Sequence, residues 1–96
     1  MFEIRTLPEF NDWLGGLRDG LTQRRLAARL RKVSMGLMGD VKPVGQGVQE
    51  LREHFGPGWR MYFVERNNTL IVMLGGGDKS TQSTDIEQAI ALANRL

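Results

Sequence analysis

Residues 45–82, GQGVQELREHFGPGWRMYFVERNNTLIVMLGGGDKSTQ, contain the pattern that decides the fold. Three alternating or apolar runs are joined by two turn signals, Gly56-Pro57-Gly58 and Asn67-Asn68, and a glycine triplet ends the last run. The pattern predicts a three-stranded antiparallel meander. Because the flanking sequence reads as helices that cover one face of this sheet, we expect the other face to be open, polar and basic.

One further strand and three helices are predicted outside the meander. Residues 2–6 alternate as a short strand, and residues 6–9 have the Thr-x-x-Glu spacing of a capping box that begins a helix. A second helix begins at Thr22, and a last helix begins near residue 84. Glycines and a proline between residues 34 and 47 predict a loop. The predicted fold is α+β: a small antiparallel sheet, mixed where the N-terminal strand joins it, flanked by helices in the order β-α-α-β-β-β-α.

Composition excludes several kinds of site. The 96 residues predict one domain, 1–96, and the absence of Cys excludes disulfides and thiolate metal sites. The only histidine is His54, so a histidine cluster is excluded, and we expect neither a metal nor a cofactor. No apolar run approaches the roughly 18 residues of a membrane span, and the N-terminus lacks the apolar character of a signal peptide. We therefore expect a cytoplasmic protein without membrane contact.

Positive charge is concentrated on the second predicted helix. The net charge is only +2, but residues 18–32 hold six cations and one acidic residue. At about 100° per residue, the basic side chains lie opposite the apolar arc. They form either a solvated helix face or a basic ridge that contacts phosphates without specifying sequence. The predicted RNA-contacting residues of this helix are Arg24, Arg25, Arg29 and Lys32.

A titratable ring and several cations are expected to converge on the open face of the sheet. Side-chain alternation puts Glu50, Arg52 and His54 on one side of their strand. Arg60 and Tyr62 are available beside them on the next strand. Such groups can cleave RNA without a metal: a base takes the ribose 2′-OH proton, cations stabilise the pentacoordinate phosphate, and an acid protonates the leaving oxygen. Histidine is the side chain best suited to proton transfer near neutral pH. The predicted catalytic residues are Arg52, His54, Arg60 and Lys79, with Lys42 and Tyr62 as further RNA contacts.

Each of these residues also has a purely structural interpretation. His54 is equally typical of an exposed strand position with no task. Arg52 and Arg60 are typical of ion pairs with Glu50 or its neighbour Glu53, and a tyrosine on a strand is typically a packed aromatic residue. The residues alone do not choose between these interpretations.

The glycine triplet before Asp78 and Lys79 does not match a phosphate-binding P-loop. That motif requires Gly directly before Lys and another Gly five residues ahead of it, in a parallel α/β setting. We expect the glycines to allow a sharp turn between strand and helix, with Asp78 and Lys79 held by local hydrogen bonds.

Four sequence blocks resemble the "addiction module killer protein" (HigB-like) branch of the RelE/ParE toxins. They are GDVKPVG at 39–45, VQELR at 48–52, FGPGWRMYF at 55–63 and LGGGDKSTQ at 74–82. The resemblance covers nearly the whole chain. It implies a bacterial type II toxin with a small antiparallel sheet flanked by helices. It also implies a cognate antitoxin, often a helix-turn-helix protein, through which alone the toxin contacts operator DNA.

The resemblance leaves two activities open. RelE-type members cut mRNA in the ribosomal A site, whereas ParE-type members poison DNA gyrase by binding it, and the shared scaffold does not decide between them. We expect the first, a ribosome-dependent mRNA endoribonuclease that inhibits translation, and keep the second as the alternative. A third hypothesis is a chain that has lost toxicity and retains only its interaction with an antitoxin and its operator.

The nuclease hypothesis assigns roles by resemblance. Arg60 matches the strand arginine that contacts the scissile phosphate, Arg52 matches a basic position on the preceding strand, and Lys79 lies close to the basic residue after the last strand. The RelE lysine pair has no counterpart, because Val48 and Glu50 stand in its place, and the C-terminal catalytic tyrosine is missing. The resemblance therefore implies that His54 or Lys79 transfers protons here, or that ribosomal RNA supplies more of the catalysis.

Overall fold

The computed structural model describes residues 1–96 as a mixed sheet with helices on both faces. The elements are β1 (Glu3–Thr6), α1 (Pro8–Gly15), α2 (Gly20–Ser34), β2 (Val41–Gly45), β3 (Val48–Arg52), β4 (Arg60–Arg66), β5 (Leu70–Gly77), a 3₁₀ turn (Lys79–Thr81) and α3 (Gln82–Asn94). The strand order across the sheet is β1-β5-β4-β3-β2, with β1 parallel to β5 and the other pairs antiparallel. The α+β class is confirmed. None of the helices is long and apolar enough to cross a bilayer.

The chain between α2 and β3 contains a strand where the sequence predicted only a loop. β2 pairs antiparallel with β3, with Lys42 opposite Glu50. Pro43 is tolerated because β2 is an edge strand. Gln46 and Gly47 have φ values of 51° and 82°, and they form a tight two-residue connection to β3. The predicted element order therefore lacked one strand. The glycines and the proline of residues 39–47 are typical of a loop, and the apolar alternation of β2 is too short to indicate a strand.

One face of the sheet is covered by α1 and α2. Eight side chains form this core, each at most 1% exposed, and burying a side chain of this size contributes about 1.5 to 3 kcal/mol. They are Phe10, Leu26, Val33, Leu51, Met61, Phe63, Ile71 and Met73. Half-buried apolar side chains of α1 and α2 pack against this core, whereas Leu21 and Leu37 are exposed.

The other face is covered by α3, so the prediction of an open face is wrong. The second core consists of Val48, Tyr62, Val64, Val72, Leu74, Ala89 and Ala93. The strands carry apolar side chains on this face too, and they require a cover. The small side chains of Ala89 and Ala93 bring α3 close to the sheet. Only the end of this face near the start of α3 is polar.

The glycine triplet at the end of β5 serves close packing. All three lie within β5 and none has a positive φ, so the turn into the 3₁₀ segment at Lys79 is not formed by the glycines as expected. A Cβ on Gly76 would lie 2.4 Å from the ring of Trp13 in α1, and a Cβ on Gly77 would lie 1.9 Å from Asp85 Oδ2 in α3. The glycines thus let both helices approach the strand. The expected local hydrogen bonds are present at Asp78, which accepts from Ser80 N and Ser80 Oγ.

Local sequence signals predict the β4–β5 hairpin correctly but misplace the start of α2. Asn67 and Asn68 have φ values of 55° and 57°, which confirms the predicted hairpin between β4 and β5. α2 begins earlier than predicted, because Asp19 is the N-cap and accepts hydrogen bonds from Leu21 N and Thr22 Oγ1. Thr22 is therefore a partner of the cap, and Gly20 is the first residue of the helix.

Candidate functional site

A buried carboxylate and a buried guanidinium form the centre of the candidate site. Glu50 and Arg60 are 0% and 1% exposed and face α3 from adjacent strands. Glu50 Oε1 lies 3.9 Å from Arg60 Nε and 3.9 Å from Arg52 Nε. Gln82, the first residue of α3, donates a hydrogen bond of 2.8 Å to Glu50 Oε2. A carboxylate is tolerated at this depth because it has such partners.

Arg60 also holds the loop between β3 and β4. Its Nη1 donates to the carbonyl oxygens of Glu53 and Trp59, both at 3.0 Å. The sequence predicted that His54 lies on the same strand as Glu50, but β3 ends at Arg52, and this loop follows. Arg60 was expected on a bare surface, in contact with a phosphate. The structure instead covers it with the chain's own atoms, because Glu50 and two carbonyl groups need its charge and its donors.

Tyr62 is a packed aromatic residue, not a surface platform for bases. It is 0% exposed and belongs to the core beneath α3. Burial, and next the charge of Glu50, raise the pKa of its phenol, so the hydroxyl stays protonated at neutral pH. Tyr62 is therefore a core residue, and it is not at the surface to contact RNA.

Four polar side chains surround the buried centre, and we call them the rim: Lys42, Arg52, His54 and Lys79. Arg52 is 32% exposed at its side chain, and the other three are exposed. Lys42 and Lys79 form no ion pair within the chain. The stem of Lys79 crosses Gly58, where a Cβ would lie 2.7 Å from Lys79 Cδ. The absence of a side chain at Gly58 therefore brings Lys79 against the loop that carries His54.

His54 is paired with Asp40, a residue that the sequence analysis missed. His54 Nε2 and Asp40 Oδ2 lie 2.6 Å apart, with side chains 66% and 44% exposed. The hydrogen bond from His54 lowers the pKa of Asp40; burial opposes this, and the positive charge of Arg52 adds to the lowering. The two residues are fourteen positions apart and meet only because β2 pairs with β3. A strand assignment at residues 41–45 would have revealed them.

The predicted basic ridge of α2 lies on the opposite face of the sheet from α3, and it reaches the loop that carries His54 through Arg25 and Arg29. Arg24 and Lys32 are exposed and form no ion pair. The guanidinium of Arg25 lies 3.6 Å above the ring centroid of Phe55. Arg29 turns inward, where its donors are used by Glu53 and by backbone carbonyls. The remaining cations are available to an external anion.

Chemically, the rim can bind a phosphate with its cations and move a proton with its histidine. The chain has no group of three or more His, Cys, Asp or Glu residues arranged to hold a metal ion. The rim is shallow and exposed, as suits a long polymer more than a small molecule enclosed in a pocket.

Comparisons with known proteins identify the family. The family model described as "Phage derived protein Gp49-like (DUF891)" matches residues 3–96. An uncharacterized protein of Haemophilus influenzae is 40% identical over 94 residues, covering 98% of this chain and 95% of its own. The crystal structure of YafQ from E. coli strain BL21(DE3) matches with a TM-score of 0.52 and 14% identity, covering 85% of this chain and 98% of YafQ. The chain therefore belongs to the Gp49-like family of phage-derived proteins and has a RelE-like fold.

Proposed function

We propose that this protein is the toxin of a bacterial type II toxin–antitoxin pair and that it inhibits translation by cleaving mRNA on the ribosome. The Gp49-like family and the fold shared with YafQ support a RelE-like toxin. The four sequence blocks support the addiction module killer (HigB-like) branch. The observation that supports cleavage is the exposed His54–Asp40 pair, at the end of the sheet where Lys42 lies opposite Glu50 and Lys79 crosses Gly58.

The proposed reaction is a transesterification that needs no metal or cofactor. The unprotonated ring of His54 takes the proton of the ribose 2′-OH, and the 2′-oxygen forms a bond to phosphorus. The bond from phosphorus to the 5′-oxygen breaks, and the Lys79 ammonium protonates the leaving oxygen. Lys42 and Arg52 stabilise the charge on the pentacoordinate phosphate. The products are a 2′,3′-cyclic phosphate and a 5′-hydroxyl end, and both side chains regain their starting protonation by exchange with water.

The buried residues have supporting roles in this proposal. Arg60 shapes the loop that carries His54 and balances Glu50, so it acts by positioning. Tyr62 fills the core beneath α3. The exposed α2 cations Arg24, Arg25 and Lys32 attract RNA phosphates of the ribosome or message over a longer range.

Mapping of transcript ends tests the proposal. Induced expression of the wild-type chain should stop growth and create new 5′-hydroxyl ends inside translated reading frames. These ends should disappear when translation initiation is blocked, and they should not form with His54→Ala. As a matched control, Arg66→Gln, at the distant β4–β5 hairpin, should behave like the wild type. Growth arrest without new transcript ends would contradict cleavage.

The burial of Arg60 favours one alternative, a ParE-like inhibitor that acts by binding DNA gyrase. The residue matched to the phosphate-contacting arginine is only 1% exposed, and a protein-binding inhibitor does not require it at the surface. Pulse labelling separates the two activities. A gyrase poison stops DNA synthesis and induces DNA damage signalling first, whereas a nuclease stops protein synthesis first.

The proposed partners are the ribosome with its mRNA, in the cytoplasm, and a cognate antitoxin, which we expect to be a helix-turn-helix protein. The toxin–antitoxin relationship implies such a partner. Contact with operator DNA would occur only through this antitoxin. An acidic or amphipathic antitoxin segment complements the rim or the α2 cations. Mixing this chain with the product of an adjacent helix-turn-helix gene should give a complex at micromolar concentration.

A further inference from the structure

We propose that Asp40 and Arg29 are positioning residues for His54: Arg29 fixes the two backbone segments that carry the pair, and Asp40 holds the ring so that Nδ1 faces the substrate. This inference rests on the proposed function, because it refines the site at which RNA would react. The sequence suggested a different role for Arg29, as an RNA contact, and suggested none for Asp40.

Arg29 joins the segment before β2 to the end of β3. Its Nη2 donates to Met38 O and Asp40 O, both at 2.8 Å. Its Nη1 donates to Arg52 O at 2.9 Å and to the carboxylate of Glu53. The side chain is only 10% exposed. A planar guanidinium with donors on both sides can make these contacts at once, whereas a lysine ammonium places its three donors on a single atom.

The backbone around Asp40 is shaped to fit this guanidinium. Gly39 has a φ of 67°, and a Cβ there would lie 3.0 Å from Arg29 Nη2. Asp40 O also accepts a hydrogen bond of 2.9 Å from Arg52 N. Arg29 Nη2 and Arg52 N thus both donate to the carbonyl oxygen of Asp40. Because Arg52 is two residues before His54, these bonds hold Asp40 near the ring. The position of the Asp40 carboxylate follows from contacts made by its own backbone.

The Asp40 carboxylate stabilises the tautomer of the neutral His54 ring in which Nε2 carries the proton. An ionised carboxylate only accepts hydrogen bonds, so the ring nitrogen 2.6 Å from it, Nε2, must carry a proton. The lowered pKa of Asp40 keeps this carboxylate ionised at neutral pH. In the unprotonated ring, the lone pair then lies on Nδ1, which is the atom available to accept the 2′-OH proton. Without Asp40, the ring can rotate and exchange tautomers.

An ion pair that serves only stability is a weaker explanation of this geometry. The His54 side chain is 66% exposed and Asp40 is 44% exposed, and pairs this exposed add little to stability. The buried hydrogen bonds of Arg29 would stabilise the fold without any histidine nearby. The structure adds a defined ring orientation at an exposed site that is bordered by unpaired cations.

Nitrogen-15 NMR of the ring tests the inference, because His54 is the only histidine in the chain. In the wild-type protein, above the pH at which the ring loses its charge, Nδ1 should show the shift of a bare nitrogen and Nε2 that of a protonated one. Asp40→Ala removes only an exposed carboxylate, and it should shift both resonances toward a tautomer mixture. The matched control Asp12→Ala, at an exposed position of α1, should leave both ring resonances unchanged. Unchanged ring resonances in Asp40→Ala would overturn the inference.

Cleavage assays with the same variants separate positioning from stability. Asp40→Ala and Arg29→Lys should each lower the cleavage rate on ribosome-bound mRNA on the order of tenfold, with less loss than His54→Ala. The control Arg66→Lys should retain the wild-type rate. Full activity of Asp40→Ala would overturn the inference, even if Arg29→Lys fails to fold. Absence of cleavage by the wild-type chain would instead overturn the proposed function, and the ring resonances would still decide the positioning.

Discussion

Arg60 Nε lies 3.9 Å from Glu50 Oε1 within the interface between the sheet and α3, where neither residue has more than 1% of its surface exposed. This ion pair changes the role expected of Arg60. Its donors stabilise the loop before β4, and its charge compensates a buried carboxylate. The residues that can meet a substrate are the ones around this pair, above all Lys42, His54 and Lys79.

Replacement of Arg60 should therefore destabilise the fold, so that a loss of activity in such a variant does not by itself indicate a catalytic role. Arg60→Ala should lower the free energy of unfolding by about 3 to 5 kcal/mol, because it removes the buried one of the two guanidinium groups beside Glu50 and leaves that carboxylate undercompensated. The double variant Arg60→Met, Glu50→Gln should recover much of this loss. Urea denaturation followed by circular dichroism measures both. A fully stable Arg60→Ala protein would contradict the structural role.

The glycines of β5 provide a matched pair for testing the close approach of α1. Gly76→Ala should lower the free energy of unfolding by roughly 1 to 3 kcal/mol, because the new methyl group overlaps the Trp13 ring. Gly75→Ala meets nothing within 4 Å and should change it by no more than about 0.5 kcal/mol. Thermal or urea unfolding of the two variants checks this. Equal stability of the two would show that Trp13 does not pack on the strand as described.

The cations of the rim should affect RNA binding and not folding. Lys42→Gln and Lys79→Gln should each weaken binding to RNA and reduce the slope of log affinity against log salt by about 1. Neither forms an ion pair, so stability should stay within about 0.5 kcal/mol of wild type. Arg66→Gln, far from the rim, serves as the control. Salt titrations with unchanged slopes would exclude phosphate contacts at these lysines.

Stability should fall in acid through three aspartates. The Thr22 hydroxyl at Asp19, the His54 ring at Asp40 and the Ser80 hydroxyl at Asp78 each lower the carboxyl pKa. Because the folded pKa lies below the unfolded value, each contribution is complete above about pH 4 and disappears as the pH falls through the folded pKa. Asp19→Asn should remove part of this dependence, as measured by unfolding between about pH 2 and pH 6. An identical pH profile for that variant would contradict the role of Asp19 as an ionised cap.

Local signals predicted the parts of the fold that depend on short stretches of chain. The Asn67-Asn68 hairpin and the antiparallel meander of β3, β4 and β5 follow from turn residues and from alternation, and both are present. The strand at residues 41–45 was not predictable in this way, because Gly and Pro are turn residues unless an edge position accommodates them.

The sequence named several residues of the candidate site but predicted neither the role of Asp40 nor the burial of Arg60. Arg52 ends β3, His54 lies in the loop that follows and Lys79 follows the end of β5, so the antiparallel topology places the three at one end of the sheet, although strand alternation does not extend to His54. The burial of Arg60 depends on Glu50 and on Gln82, which is more than twenty residues further along the chain. Such a contact is fixed by how α3 lies on the sheet, and no local pattern encodes it.

The most direct test of the central claim is single-turnover cleavage of a defined, ribosome-bound mRNA by purified wild-type and His54→Ala proteins of equal stability. The wild type should produce a 2′,3′-cyclic phosphate and a 5′-hydroxyl end, and His54→Ala should be slower by about 10² to 10⁴-fold. Equal rates for the two proteins, or no cleavage by the wild type, would contradict an exposed site built around His54 and its Asp40 partner.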